Sequence, residues 1–127
     1  MIVVFIFENI FYNLDRAREI NPDDVELDEI FLIAVHLKLQ NNFEELSREY
    51  QNYLDAHPNS AIAYYFMASL DHKLGNKEEA IKNLDQAIYL RPSEQRFQDA
   101  RSKIIFANKE DQIFSVKFSF DISEIEF

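Results

Sequence analysis

An all-α fold of repeated helical hairpins is what this sequence predicts, and three observations predict it. The stretch from Ala61 to Glu94, AIAYYFMASLDHKLGNKEEAIKNLDQAIYLRPSE, holds two helix-period patterns joined by one tight turn. Five features of it recur 34 residues earlier: Pro58 and Pro92, Asn42 and Asn76, Glu45 and Glu79, Ala34 and Ala68, Tyr50 and Leu84. The 127-residue chain contains one Gly and three Pro, too few turn formers for a many-stranded β domain or a disordered chain, and 47 % of it is hydrophobic.

At the N-terminus, Val3, Phe7, Ile10, Leu14 and Ala17 share one helical face, with Phe11 beside it, which predicts a helix through Ile20. The β-branched Ile2, Val3, Val4 and Ile6 fit a strand equally well, so residues 1–7 are open between the two. Met1 to Phe7 lacks the basic segment and small-residue cleavage site of a signal peptide and is expected to belong to the fold. Leu14, Ala17, Ile20 and Pro22 match Leu84, Ala87, Leu90 and Pro92, so this helix reads as the second half of a repeat. The carboxylates that follow, Asp23, Asp24, Glu26, Asp28 and Glu29, do not make a calcium loop. Counting from Asn21, the sixth and twelfth places hold Glu26 and Leu32 where a glycine and a glutamate are needed. At a helix start they complement the positive end of the macrodipole.

Residues 27–60 and 61–94 then form two copies of a hairpin. In the second copy Tyr64, Met67, Ala68 and Asp71 make one inward stripe, and Ala80, Leu84, Ala87 and Ile88 make another. Gly75 supplies a left-handed helix end, Asn76 with Glu79 three residues on predicts a capping-box restart, and Pro92 closes the second helix. Tyr64, Ala68, Gly75, Ala80, Leu84, Ala87 and Pro92 stand at the spacings of the tetratricopeptide repeat, which this segment resembles. Asp71 departs from the pattern, where the family usually has an aromatic. In the first copy Leu46 and Tyr53 replace the usual small residues, so those helices are expected to stand slightly further apart.

After the second hairpin, Phe97, Ala100, Ile104 and Ile105 on one face predict a capping helix over 93–106 that closes the apolar end of the stack. From Phe114 to Ser123 the period changes to two: Phe114, Val116, Phe118, Phe120 and Ile122 alternate with Ser115, Lys117, Ser119, Asp121 and Ser123. The expected architecture is therefore an α-hairpin solenoid over 1–108, with two full repeats, an N-terminal half repeat and a capping helix. A β-prone tail follows over 109–127. A strand needs a partner, and the tail's five apolar side chains are candidates for self-association in a homodimer.

Several functions are disfavoured. A net charge of −10 repels phosphate backbones and anionic lipid, so neither nucleic acid nor membrane is expected as a partner. Without cysteine there is no disulfide framework or thiolate site, and a cytoplasmic location is expected. His36, His57 and His72 lack ligand spacing, and no phosphate loop, nucleophile motif or metalloprotease motif occurs. Neither enzymatic activity nor a cofactor or metal is expected.

The family resemblance implies a concave groove, lined by the first helix of each hairpin, that receives a protein or peptide segment. The lining residues would be Asp28, Phe31, Leu32, Val35 and Lys38, then Ile62, Tyr65, Phe66, Ser69, His72 and Lys73. Family members that clamp a terminal carboxylate use asparagines where Val35 and Ser69 stand here, so the groove is expected to be apolar rather than a carboxylate clamp. The expected function is a non-enzymatic adaptor or scaffold. The alternative is a self-assembling homodimer that fills its own groove.

Overall fold

A computed structural model describes residues 2–21 and 24–106, with residues 2–5 as backbone alone. Among the described residues the chain forms six helices: α1 (Ile2–Ile20), α2 (Val25–Leu39), α3 (Phe43–Ala56), α4 (Ala61–Lys73), α5 (Lys77–Leu90) and α6 (Gln95–Phe106). The fold is all-α, and its hairpins α2–α3 and α4–α5 follow the 34-residue register. The first seven residues, readable as helix or strand, are helical from Ile2 onward. The tail from Phe114 to Ser123 and Pro22 lie outside the described residues.

Local chemistry sets the helix ends. Asp24 caps α2 by accepting a hydrogen bond from the Glu26 amide at 3.0 Å, and Asn42 caps α3 by accepting from the Glu45 amide at 3.1 Å. Ser60 caps α4, accepting from the Ala63 amide at 3.3 Å. Between α4 and α5, Gly75 takes a φ of +84°. Its amide reaches the His72 carbonyl at 3.1 Å and the Asn76 amide the Asp71 carbonyl at 2.8 Å, the paired bonds of a Schellman motif. The capping box expected at Asn76 is only half realised: Asn76 is the N-cap residue of α5, but its side chain makes no cap bond. Lys77, Glu78 and Glu79 are exposed, so water can satisfy the first-turn amides instead. In the first hairpin Asn41 stands where Gly75 stands in the second, yet no left-handed residue is used there. Gln40 stays right-handed, and the turn closes by an Asn42 amide bond to the Leu39 carbonyl at 2.8 Å.

The core is centred on α4, which packs against α2, α3 and α5 and is buried round most of its circumference. Ala68, Ala80 and Ala87 are fully buried in it, and such small side chains let α4 and α5 approach closely. Tyr50 fills the space that Leu84 fills one repeat later, its ring edge-on to Phe66 with centroids 5.9 Å apart. At the C-terminal end Phe97, Ala100 and Ile104 of α6 are buried, and Phe97 lies 5.1 Å from Tyr65, as expected of a capping helix.

Tyr53 occupies the position of Ala87 in the next repeat, and its extra bulk has a use. The ring stacks on Phe31 at 5.0 Å and on His57 at 4.3 Å. Its hydroxyl donates to Asp28 and accepts from Arg18 at 2.8 Å, while Arg18 also pairs with Asp28 at 3.2 Å. Ser60 adds a bond to the other Asp28 oxygen at 3.3 Å. His57 Nδ1 lies 3.3 Å from the Tyr53 carbonyl and Nε2 lies 3.4 Å from Arg18, which assigns the proton to Nδ1. Burial and then the Asp28 bond raise the Tyr53 phenol well above its ordinary pKa, against the pull of Arg18. The network ties α1, α2 and α3 to the cap of α4.

Two predictions follow from this packing. Ala80→Leu or Ala87→Leu should lower stability by roughly 1–3 kcal/mol through overpacking, while Lys77→Ala on the surface should change it by about 0.5 kcal/mol or less. Urea midpoints would show this. Tyr53→Phe should cost roughly 1–3 kcal/mol by leaving Asp28 and Arg18 short of a buried partner, whereas Tyr89→Phe, at a phenol exposed to 79 %, should be close to neutral in the same titration.

Candidate functional site: the face of the first helices

The 34-residue register aligns Phe31, Val35 and Lys38 of α2 with Tyr65, Ser69 and His72 of α4, and these with Asp99, Lys103 and Phe106 of α6. The C-terminal ends of the three helices gather at one end of the molecule. Lys73, ending α4, sets its ammonium 4.8 Å over the ring of Phe43, which begins α3 immediately after α2. Lys77, beginning α5 immediately after α4, donates to the Ile105 carbonyl near the end of α6 at 3.4 Å.

The expected groove residues divide into two groups. Leu32, Val35, Ile62, Tyr65, Phe66, Ser69 and His72 are buried, and Leu32, Ile62 and Phe66 belong to the hydrophobic core. Phe31 is half-buried, between Phe11 at 5.4 Å and Tyr53 at 5.0 Å, while Lys38 and Lys73 are exposed. Asp28 is not at a groove surface but inside the Arg18–Tyr53–Ser60 network. The tail residues Phe114, Val116, Phe118, Phe120 and Ile122 lie outside the described residues.

Phe31, Val35 and Lys38 meet in an open recess of about 310 Å³, walled also by Phe11 and Leu39, with Glu45 and Glu49 from α3. Lys38 holds its ammonium 5.6 Å over the Phe11 ring. The recess is thus lined by four apolar side chains, Phe11, Phe31, Val35 and Leu39, and three charged ones, Lys38, Glu45 and Glu49. At the opposite end of the face, Arg96 of α6 crosses α4. It pairs with Glu29 of α2 at 2.6 Å and Glu94 at 2.9 Å, and lies 5.8 Å over the Tyr65 ring. Burial raises the Tyr65 phenol to about 12 even with Arg96 beside it, so it stays protonated.

Sequence reasoning missed Phe11, Leu39, Glu45 and Glu49 in the recess and the Glu29–Arg96 bridge. Extending the 34-residue register onto α6 would have placed Arg96 opposite Ile62 and Asp28. No such signal exists for Phe11, whose approach to Phe31 depends on how α1 docks.

A second, larger recess of about 540 Å³ lies between α3, α4 and α5, and Asp55, Asp71, Glu79, Gln51 and Asn83 give it a polar wall. Here Asp71, the departure from the expected aromatic, accepts from Asn83 Nδ2 at 2.7 Å. Burial raises its pKa to about 6, the Asn83 bond opposing and Glu79 reinforcing the shift.

The architecture is that of a helical-hairpin scaffold, its first helices forming one continuous face. Residues 61–94 match the tetratricopeptide repeat family, and the chain carries a tetratricopeptide repeat there. Repeats of this family mediate protein–protein interactions and are generally non-enzymatic scaffolds. No curated protein and no solved structure matches the chain. No helix among the described residues is long and apolar enough to cross a membrane.

The Asp71 shift predicts a pH effect with a definite sign. The folded pKa lies above the unfolded value, so the folded state holds the extra proton and this group destabilises the fold at neutral pH. That cost falls as pH drops from about 6 toward 4. Asp71→Asn should therefore melt higher than the natural protein at pH 7.5, with the gap narrowing at pH 4.5. Parallel thermal melts at both values would check it.

Proposed function

We propose that this protein is a non-enzymatic interaction module that binds a protein segment across the face formed by α2, α4 and α6. Its binding domain spans residues 1–108, and it works in the cytoplasm. The observation that carries this reading is the recess of Phe11, Phe31, Val35 and Leu39 at one end of an otherwise closely packed helical face. An apolar anchor fills the recess and the rest of the segment runs toward α4 and α6. Phe31, Leu32, Val35, Ile62, Tyr65, Phe66, Ser69 and His72 shape that face from the surface or from beneath, and Lys38 and Lys73 flank it.

These lysines favour a segment with acidic residues beside its apolar ones, although the protein as a whole is acidic. The same overall charge supports a protein partner over nucleic acid or membrane.

Peptides selected from a random library against the full chain should shift the amide resonances of Phe31, Val35, Lys38, Tyr65, Ser69 and His72. Lys38→Glu with Lys73→Glu should weaken them roughly 2- to 30-fold at low salt, two exposed pairs contributing about 0.2–1 kcal/mol each. Binders that instead shift Asp55, Asp71 and Asn83 would place the site on the opposite recess and overturn the reading.

A further inference from the structure

The outer side of α1 has the markings of a helix–helix interface. Phe11, Leu14 and Arg18 serve the contact with α2: Phe11 meets Phe31 at 5.4 Å, Leu14 is buried and Arg18 pairs with Asp28. About 110° round the helix, at about 100° per residue, lies a second stripe made of Ile6, Ile10, Asn13, Ala17 and Ile20. Ile6 is 48 % and Ile20 86 % exposed, Asn13 is exposed, and Ile10 and Ala17 are half-buried.

The repeat register says what belongs beside this stripe. The match of Leu14, Ala17 and Ile20 to Leu84, Ala87 and Leu90 carries Ile10 and Asn13 to Ala80 and Asn83 of α5. That is the side on which α5 receives α4: Ala80 and Ala87 are buried in the core, and Asn83 donates to Asp71 of α4 at 2.7 Å. Helix α5 packs against both α4 and α6, and α3 against both α2 and α4, whereas among the described residues α1 packs chiefly against α2. One antiparallel helix fits the open place.

A second copy's α1 has the right pattern to fill it. The stripe's spacing of 4, 3, 4 and 3 residues is that of a two-helix seam, and a lone asparagine in such a seam fixes register. When two α1 helices run antiparallel, Ile6 meets Ala17 of the second copy and Ile10 meets Asn13 of the second copy. These positions lie symmetrically about the middle of Ile2–Ile20, so the register that pairs the stripe also overlaps the helices almost end to end. Each isoleucine is set against a smaller side chain, and the contact reads the same from either copy, as two-fold symmetry requires. Charge permits the approach. The chain carries −10, but the acids of α1, Glu8, Asp15 and Glu19, are exposed on the side opposite the stripe, which itself holds no charged residue.

We propose that this protein self-associates through α1, the helices of two copies pairing antiparallel along Ile6, Ile10, Asn13, Ala17 and Ile20. Each copy then gives the other what α4 gives α5. Phe11 is on the α2 side of the helix, so the recess it walls stays open and the dimer presents two of them. One helix of about 28 Å per copy is a small interface, so the dimer is reversible at concentrations on the order of micromolar.

Sedimentation equilibrium of the full chain should show this monomer–dimer exchange. Ile6→Glu with Ile20→Glu, at two exposed positions, should weaken it at least about tenfold by burying an unpaired charge at each end of the seam, with the far-ultraviolet circular dichroism unchanged. Phe118→Asp with Phe120→Asp should dimerise like the natural chain. A monomer at every concentration would overturn the proposal, and so would a dimer that survives the α1 changes.

The chain has no cysteine, so oxidation can read the register directly. Ile6→Cys and Ala17→Cys chains should cross-link when mixed and not when either is oxidised alone. Antiparallel pairing sets like positions about 16 Å apart along the axis, beyond the roughly 7 Å that a disulfide bridges. Cross-linking of each chain with itself would mean parallel helices and overturn the proposal, as would the absence of cross-links in all three samples.

Discussion

The close approach of α4 to α5 is the contact on which the rest of the structure depends. Ala68, Ala80 and Ala87 leave room for two backbones to pack with little between them, and this places α4 at the centre. With α3 and α2 on its other sides, α4 has almost no solvent-facing surface, which is why its sequence is apolar nearly all round rather than along one stripe. The proposed binding face is a consequence. It is formed by the side of α4 that meets neither α3 nor α5, and α2 and α6 extend it in both directions.

The first repeat uses a different solution to the same geometry. Where the second has the small Ala87, the first has Tyr53, and the void that small residues would leave is filled by a ring stacked between Phe31 and His57. The Tyr53 hydroxyl then closes a charged network with Arg18 and Asp28 that is mostly shielded from water. A buried ion pair of this kind stabilises little by itself, because desolvation offsets much of the attraction. Its directional bonds do favour one docking of α1 over slipped alternatives, and α1 supplies the Phe11 wall of the recess.

Helix positions were legible in the sequence because the register, the glycine and the caps are local signals. Gly75 and Asn42 behave as their chemistry predicts, and α6 buries the face its periodicity marks. The Asn76 cap was misjudged because Asn76 also closes α4, and that second role is set by the Schellman turn. The site was less legible. Periodicity could tell that Ile62 and Phe66 are apolar but not which neighbours bury them, and it had no means of pairing Glu29 with Arg96 across 67 residues. Asp28 looked like a groove residue until Tyr53 and Arg18 came within bonding distance.

The Glu29–Arg96 bridge alters how the stack behaves as a whole. A solenoid in which each unit touches only its neighbours can fray from one end, its stability being a sum of local terms. Here α6 is joined to α2 directly, over the top of α4. Detaching the capping helix therefore breaks a contact with the first hairpin as well as its contacts with α5. A partly exposed pair of this kind contributes about 1 kcal/mol or less, so it adds a small direct coupling between the cap and the first hairpin to the neighbour contacts of the stack.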